Sequence, residues 1–179
     1  MPTPREDTTP KAKTAKSTQK PEDAIKLLTK DHREVEALFK KFEEAKDDES
    51  EKADIVAQIC DALSIHAEIE EEIFYPAARD ALSEKGEDLL DEAEVEHAGI
   101  KSLVAQLEDA EPDDELYDAK VKVLTEYVKH HVKEEENELF PKVKKTDLDL
   151  DELGAEMFER KMELMDERVD DEEEEDNPE

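Results

Sequence analysis

HAEIEEEIFYP, residues 66–76, and HVKEEENELFP, residues 131–141, share one pattern: a histidine, a glutamate four positions on, and an apolar close that ends in proline. In a helix, residues four apart stand on one face, about 6 Å along the axis at about 1.5 Å per residue. His66 with Glu70, and His131 with Glu135, therefore share a face, and outward from each pair that face is apolar. Val56, Ile59 and Leu63 lead to His66 and Glu70, with Ile73 beyond; Tyr117, Val121, Leu124 and Val128 lead to His131 and Glu135. Two further stripes step by 3 or 4 in the same way. One is Ile25, Leu28, His32, Val35, Phe39 and Phe42; the other is Leu90, Ala93, His97, Ile100, Val104 and Leu107. Such steps mark one buried face of a helix.

The connections AKDDES (45–50), LSEKGED (82–88) and DAEPDDE (109–115) are short and hold the breakers and caps. Short loops between long amphipathic helices make antiparallel neighbours. The expected fold is all-α, an up-down-up-down four-helix bundle over residues 21–142, with the first helix starting at Pro21. LDELGAEMFERKMELMDE lies in a segment, 143–167, read as a linker and a further C-terminal helix. Residues 1–20, rich in Pro, Thr and Lys, and the acidic residues 168–179 read as disordered tails.

Composition narrows the function classes. With 45% charged and 4% aromatic residues and only 3 Gly, the chain favours helices. A net charge of -31 repels nucleic acids and anionic membranes and attracts cations; it also serves solubility alone. The single cysteine, Cys60, rules out an internal disulfide framework. No stretch approaches the ~18 apolar residues of a membrane helix, and the N-terminus lacks the apolar core of a secretory signal. A cytoplasmic protein is expected.

Each core stripe carries a histidine where Leu or Ile belongs. His32 and His66 are 34 residues apart, as are His97 and His131, and the midpoints of successive histidines fall in the three connections. In an antiparallel bundle the four should meet at one level, with Glu70 and Glu135 displaced together along the axis. Burying such carboxylates uncompensated costs several kcal/mol each, on the order of the whole stability of a small domain. A cation is expected among them. Imidazole and carboxylate without thiolate suits iron, manganese or zinc, and two carboxylates beside four imidazoles can bridge two ions.

DHREVEALF (31–39), HAEIEEEIFYP, EHAGI (96–100) and HVKEEENELFP together resemble the motifs of hemerythrin-like HHE cation-binding domains, over roughly residues 22–142. LGAEMFERKMEL (153–164) is similar to the helix that often follows. The resemblance implies that His32, His66, Glu70, His97, His131 and Glu135 are the metal ligands. It implies two non-haem iron ions bridged by the two carboxylates and an oxo or hydroxo oxygen, and a ligand such as O2, peroxide or nitric oxide. It also allows an iron or oxygen sensor without turnover, read out to a protein partner through the acidic surface or a tail. One position departs: oxygen-carrying hemerythrins have a fifth histidine where this chain has Lys101. A carboxylate or water could fill that place, with Glu71 and Glu94 within range; His130 and Glu134 read as rim residues. Phe74, Tyr75, Leu139 and Phe140 should close the bundle over the site, Pro76 and Pro141 bend or end the helices there, and Tyr75 or Tyr127 could pack or hydrogen-bond.

Overall fold

In the computed structural model, which describes residues 22–46 and 48–175, the first helix starts from Asp23, whose carboxylate accepts the Lys26 N–H at 3.0 Å. Asp23 is thus the cap, and not a first-turn residue as the sequence suggested. Helix α1 runs Ala24–Ala45. A second aspartate cap, Asp48, accepts the Glu51 N–H at 3.0 Å and opens α2, Glu49–Ile69. Then come α3 (Tyr75–Ala81), α4 (Glu84–Glu108), α5 (Tyr117–Glu134), α6 (Phe140–Val143) and α7 (Leu150–Glu175). The expected loop 82–88 shrinks to two residues, because Gly86 is taken into α4.

Two π-helical turns, π1 (Glu70–Phe74) and π2 (Glu135–Leu139), join α2 to α3 and α5 to α6. The Tyr75 N–H reaches back five residues to the Glu70 carbonyl, and the Phe140 N–H does the same to Glu135. The widened turn explains the prolines. Pro76 and Pro141 have no N–H to give an α-helical ladder, and after a π turn the rod carries on through them to Ala81 and Val143. The helices do not end there.

The four long rods alternate in direction, and α7 lies across α1, α2 and π1. Apart from the half-buried Ile73, every residue of the four stripes is buried. The apolar core falls into two parts with the histidines between them. One, around Phe39, Ile59, Val104 and Leu124, fills the end of the bundle holding the α1–α2 turn. The other, around Leu28, Ile69, Leu90, Phe140 and Met157, fills the opposite end and takes in α7. Each fully buried Leu or Ile contributes about 1.5–3 kcal/mol. No helix among the described residues is long and apolar enough to cross a membrane.

Helix α7 continues into residues read from sequence as an acidic tail, because glutamate is a strong helix former. The outer ends, 1–21 and 176–179, lie outside the described residues, and with them the expected tail 1–20 and the expected helix start at Pro21. Near its start, α7 meets the N-terminus of α1 at Gly154. A Cβ there would stand 2.2 Å from the Glu22 carbonyl oxygen and 2.6 Å from the Ala24 nitrogen. Backbone cannot swing aside as a side chain can, so Gly154→Ala should cost about 1–3 kcal/mol. Urea unfolding measures this; an unchanged midpoint would show that α7 can dock elsewhere.

Candidate metal centre

All six expected residues come together, and all six are buried. Each histidine turns Nε2 inward. His32 Nε2 lies 3.3 Å from Glu135 Oε2, and His66 Nε2 lies 3.3 Å from Glu70 Oε2. His97 Nε2 is 3.3 Å from Glu70 Oε2 and 3.1 Å from His131 Nε2, which is 3.6 Å from Glu135 Oε2. The atoms form two overlapping groups. One is His32, His66, Glu70 and Glu135, and the other is Glu70, His97 and His131; within each, the facing atoms lie within 4.8 Å of one another. Glu70 belongs to both.

These groups do not satisfy one another. His32 Nε2, both His66 nitrogens, Glu70 Oε1 and Glu135 Oε2 are buried without a hydrogen-bond partner. Native interiors leave few such atoms. Burial first, and then the charge on Glu135, push the Glu70 carboxyl well above the usual carboxylate range. Burial also works to raise Glu135, but His131 and His32 outweigh it and hold that carboxyl low. Burial works against the charged forms of His32 and His131 too, yet the carboxylates beside them carry both above the ordinary histidine value. A dense set of lone pairs and too few protons is what a multivalent cation relieves.

The outward nitrogens follow a ring. His66 Nδ1 faces Asp31 Oδ2 at 3.5 Å; His97 Nδ1 meets Glu71 Oε1 at 3.0 Å; His131 Nδ1 meets Glu96 Oε2 at 2.8 Å; His32 Nδ1 meets Glu136 Oε1 at 2.9 Å. A carboxylate on Nδ1 keeps the proton there and leaves the Nε2 lone pair free for a metal. Each of these carboxylates is the sequence neighbour of a ligand candidate on its own rod and orients the histidine of the next rod. Asp31, Glu96 and Glu136 were missed from sequence because they stand about 100° off the core stripe; their signal was adjacency to a histidine or glutamate of that stripe.

Beyond three of the carboxylates sits a fixed cation. Lys161 of α7 reaches Asp31 at 2.5 Å, Lys101 reaches Glu71 at 2.6 Å, and Arg33 reaches Glu136 at 2.6 Å. Lys101 therefore faces outward and holds the carboxylate that orients His97. On the inward side of that quadrant is Tyr75. Its hydroxyl donates to Glu135 Oε1 at 3.0 Å and lies 3.3 Å from His97 Nε2. Tyr127 is 50% exposed and takes no part in the centre. Glu94 is tied to Arg79 at 2.8 Å on the surface. His130 and Glu134 lie outside the centre, with His130 between Glu96 and Glu134. Phe140 stacks on His32 at 6.0 Å and Phe74 packs edge-on to Phe140 at 5.7 Å, closing one end of the site.

The family model of the hemerythrin HHE cation binding domain matches residues 23–143. A DNA nickase from Nostoc sp. is 31% identical over 123 residues, which is 69% of this chain and 33% of that protein, so the chain spans about a third of that relative's length. A crystal structure of a hemerythrin HHE cation binding domain-containing protein from Mycobacterium kansasii superposes with a TM-score of 0.69 at 24% identity, covering 82% of this chain and 90% of that one. That likeness is one of fold.

Proposed function

The chain belongs to the hemerythrin HHE cation-binding domain family, and we propose that it holds two iron ions among His32, His66, Glu70, His97, His131 and Glu135 and there binds or reacts with O2, peroxide or nitric oxide. The observation that carries this reading is the pair of buried ligand groups sharing Glu70, with their unpartnered atoms aimed at one another. Two groups with one common carboxylate suit two neighbouring ions better than one. Histidine and carboxylate without thiolate suit iron. Ferrous iron, when bound, supplies the electrons with which such small molecules are coordinated or reduced.

The chain's own residues do the rest. Glu70, common to both groups, would hold an ion on either side of it, and Glu135 of the first group also comes within 3.6 Å of His131 Nε2 in the second. The ring of Asp31, Glu71, Glu96 and Glu136 fixes the imidazole orientations. Tyr75 offers the hydroxyl proton nearest the centre, on a side chain that burial and then the Glu70 and Glu135 charges make hard to ionise. A cavity of about 20 Å³ opens below the four histidines, lined also by Val35, Leu63, Ile100 and Val128. It has room for roughly one water-sized molecule and is largely apolar, which suits a diatomic. The net charge of -31 opposes a polyanionic substrate, so the reading stays with small oxidants and not with the DNA in the Nostoc relative's name.

A second reading, a sensor without turnover, is favoured by one contact: Lys161 of α7 holds Asp31, which faces His66. Through that contact, filling of the centre would be felt by a helix outside the bundle. Metal analysis of protein purified without air, followed by absorption spectra before and after air or peroxide, tests the first reading. About two irons per chain and new charge-transfer bands are expected, and catalytic consumption of peroxide would separate enzyme from sensor. One zinc per chain, or no metal, overturns the di-iron reading.

A further inference from the structure

Of the four paths that lead outward from the histidines, one ends differently. Behind Asp31, Glu71 and Glu136 stand Lys161, Lys101 and Arg33, fixed positive charges that repel an incoming cation. Behind Glu96 stands His130, whose Nε2 lies 3.2 Å from Glu96 Oε1 and 3.3 Å from Glu134 Oε1. Histidine, glutamate and glutamate are metal-ligating groups, and their facing atoms all lie within 4.8 Å of one another. His130 is 62% exposed on its side chain, whereas Glu96 and Glu134 are only 22% and 31% exposed. The group thus faces solvent on one side and the bundle on the other.

A second, independent feature lies directly behind it. A narrow cavity of about 10 Å³ is lined by Glu96 and Glu134 of the outer group and by His131 and Glu135 of the centre, with Leu89, Ala93 and Leu139 as its apolar wall. Glu96 faces both ways: Oε1 toward His130 and Oε2 to His131 Nδ1 at 2.8 Å. We propose that Glu96, His130 and Glu134 form a surface uptake site for a divalent first-row cation, through which the buried centre is loaded. The proposal rests on the centre being a metal site. A -31 chain concentrates cations around its surface; the outer group captures one where, among the described residues, no lysine or arginine is paired with Glu96, His130 or Glu134. The carboxylate of Glu134, next in the chain to Glu135, then carries the path inward. Imidazole with two carboxylates binds such ions without the thiolates that would trap them.

The test uses the full-length metal-free protein and Co2+, followed by its visible absorption in a stopped-flow mixer under argon. His130→Ala and Glu134→Gln should slow filling of the centre about tenfold at micromolar Co2+, the low end of what a focusing site adds to an on-rate. The final cobalt content of the centre should be unchanged. Equilibrium dialysis at higher Co2+ should find one weak extra equivalent in the wild type that both variants lose. Glu138→Gln, which removes an exposed carboxylate of π2 outside the group, should load at the wild-type rate. Equal rates in all four proteins, or equal slowing by Glu138→Gln, overturns the uptake site while leaving the centre standing. A wild type that takes up no Co2+ in the centre overturns both.

Discussion

Ferrous iron added under argon to the metal-free protein is expected to raise its melting midpoint by about 10 °C. The size follows from linkage: a ligand at a thousand times its Kd adds about 4 kcal/mol to the folded state. In a domain of this length each kcal/mol moves the midpoint by about 2–4 °C. The sharper expectation concerns the double variant Glu70→Gln, Glu135→Gln. It should lose the iron-dependent rise, and its metal-free form should melt no lower than the metal-free wild type. Both carboxylates are buried, each with an oxygen that has no partner, and burial together with the neighbouring Glu135 charge already works against charge at Glu70. Two amides of the same shape remove that like-charge crowding, which offsets the loss of the Glu135 charge beside His131 and His32. Residues kept for stability alone would behave in the opposite way. Scanning calorimetry on both proteins, with and without iron, gives four midpoints. A metal-free double variant that melts well below the metal-free wild type, or an iron shift that survives in it, would sink the assignment of these two glutamates as ligands.

The bundle and the centre were legible to different depths. Residues such as Ile25, Ile59, Val104 and Leu124 announce their burial by spacing, because a helix that packs on one side repeats its apolar residues every 3 or 4 positions. The histidines were legible for the same reason: they interrupt that spacing without breaking it. Equal separations in sequence then place them at one height in an antiparallel bundle. Asp31, Glu71, Glu96 and Glu136 lie one step off the stripe, in a chain with 56 acidic residues; Glu71 was in view as a neighbour of Glu70, but adjacency alone is too weak a signal to separate the other three from solvated carboxylates. Only the approach of the next rod does. Lys101 stands where the resemblance implies a fifth histidine, and position alone could not tell which way its long side chain turns; its amine goes to Glu71. The π turns were hidden behind the prolines. Pro76 and Pro141 read as bends or stops, when a widened turn just before each lets the rod pass through it.

Lys161→Met should cost about 3 kcal/mol of stability, the low end for breaking one side of a buried pair, and should weaken iron binding about tenfold. The two effects have one origin. Burial works to raise the Asp31 carboxyl, but His66 and Lys161 beside it outweigh burial and hold it low. Without the Lys161 amine, 2.5 Å from Oδ1, the charge on Asp31 has only His66 Nδ1 to turn to. The imidazole that should offer Nε2 to the metal is then drawn toward its other neighbour. Asp31→Asn made together with Lys161→Met removes the stranded charge and should return most of the stability. It should not return the iron affinity, because an amide orients an imidazole less firmly than a carboxylate does. Recovery of affinity along with stability would mean that Asp31 and Lys161 serve packing alone. If α7 docking through Lys161 strengthens iron binding by some factor, iron must strengthen α7 docking by the same factor. Slower amide exchange along α7 in the iron-loaded wild type, with no such slowing in Lys161→Met, is the expected counterpart. This reciprocity makes the sensor reading testable at the Lys161–Asp31 contact, since a helix indifferent to iron could report nothing about it.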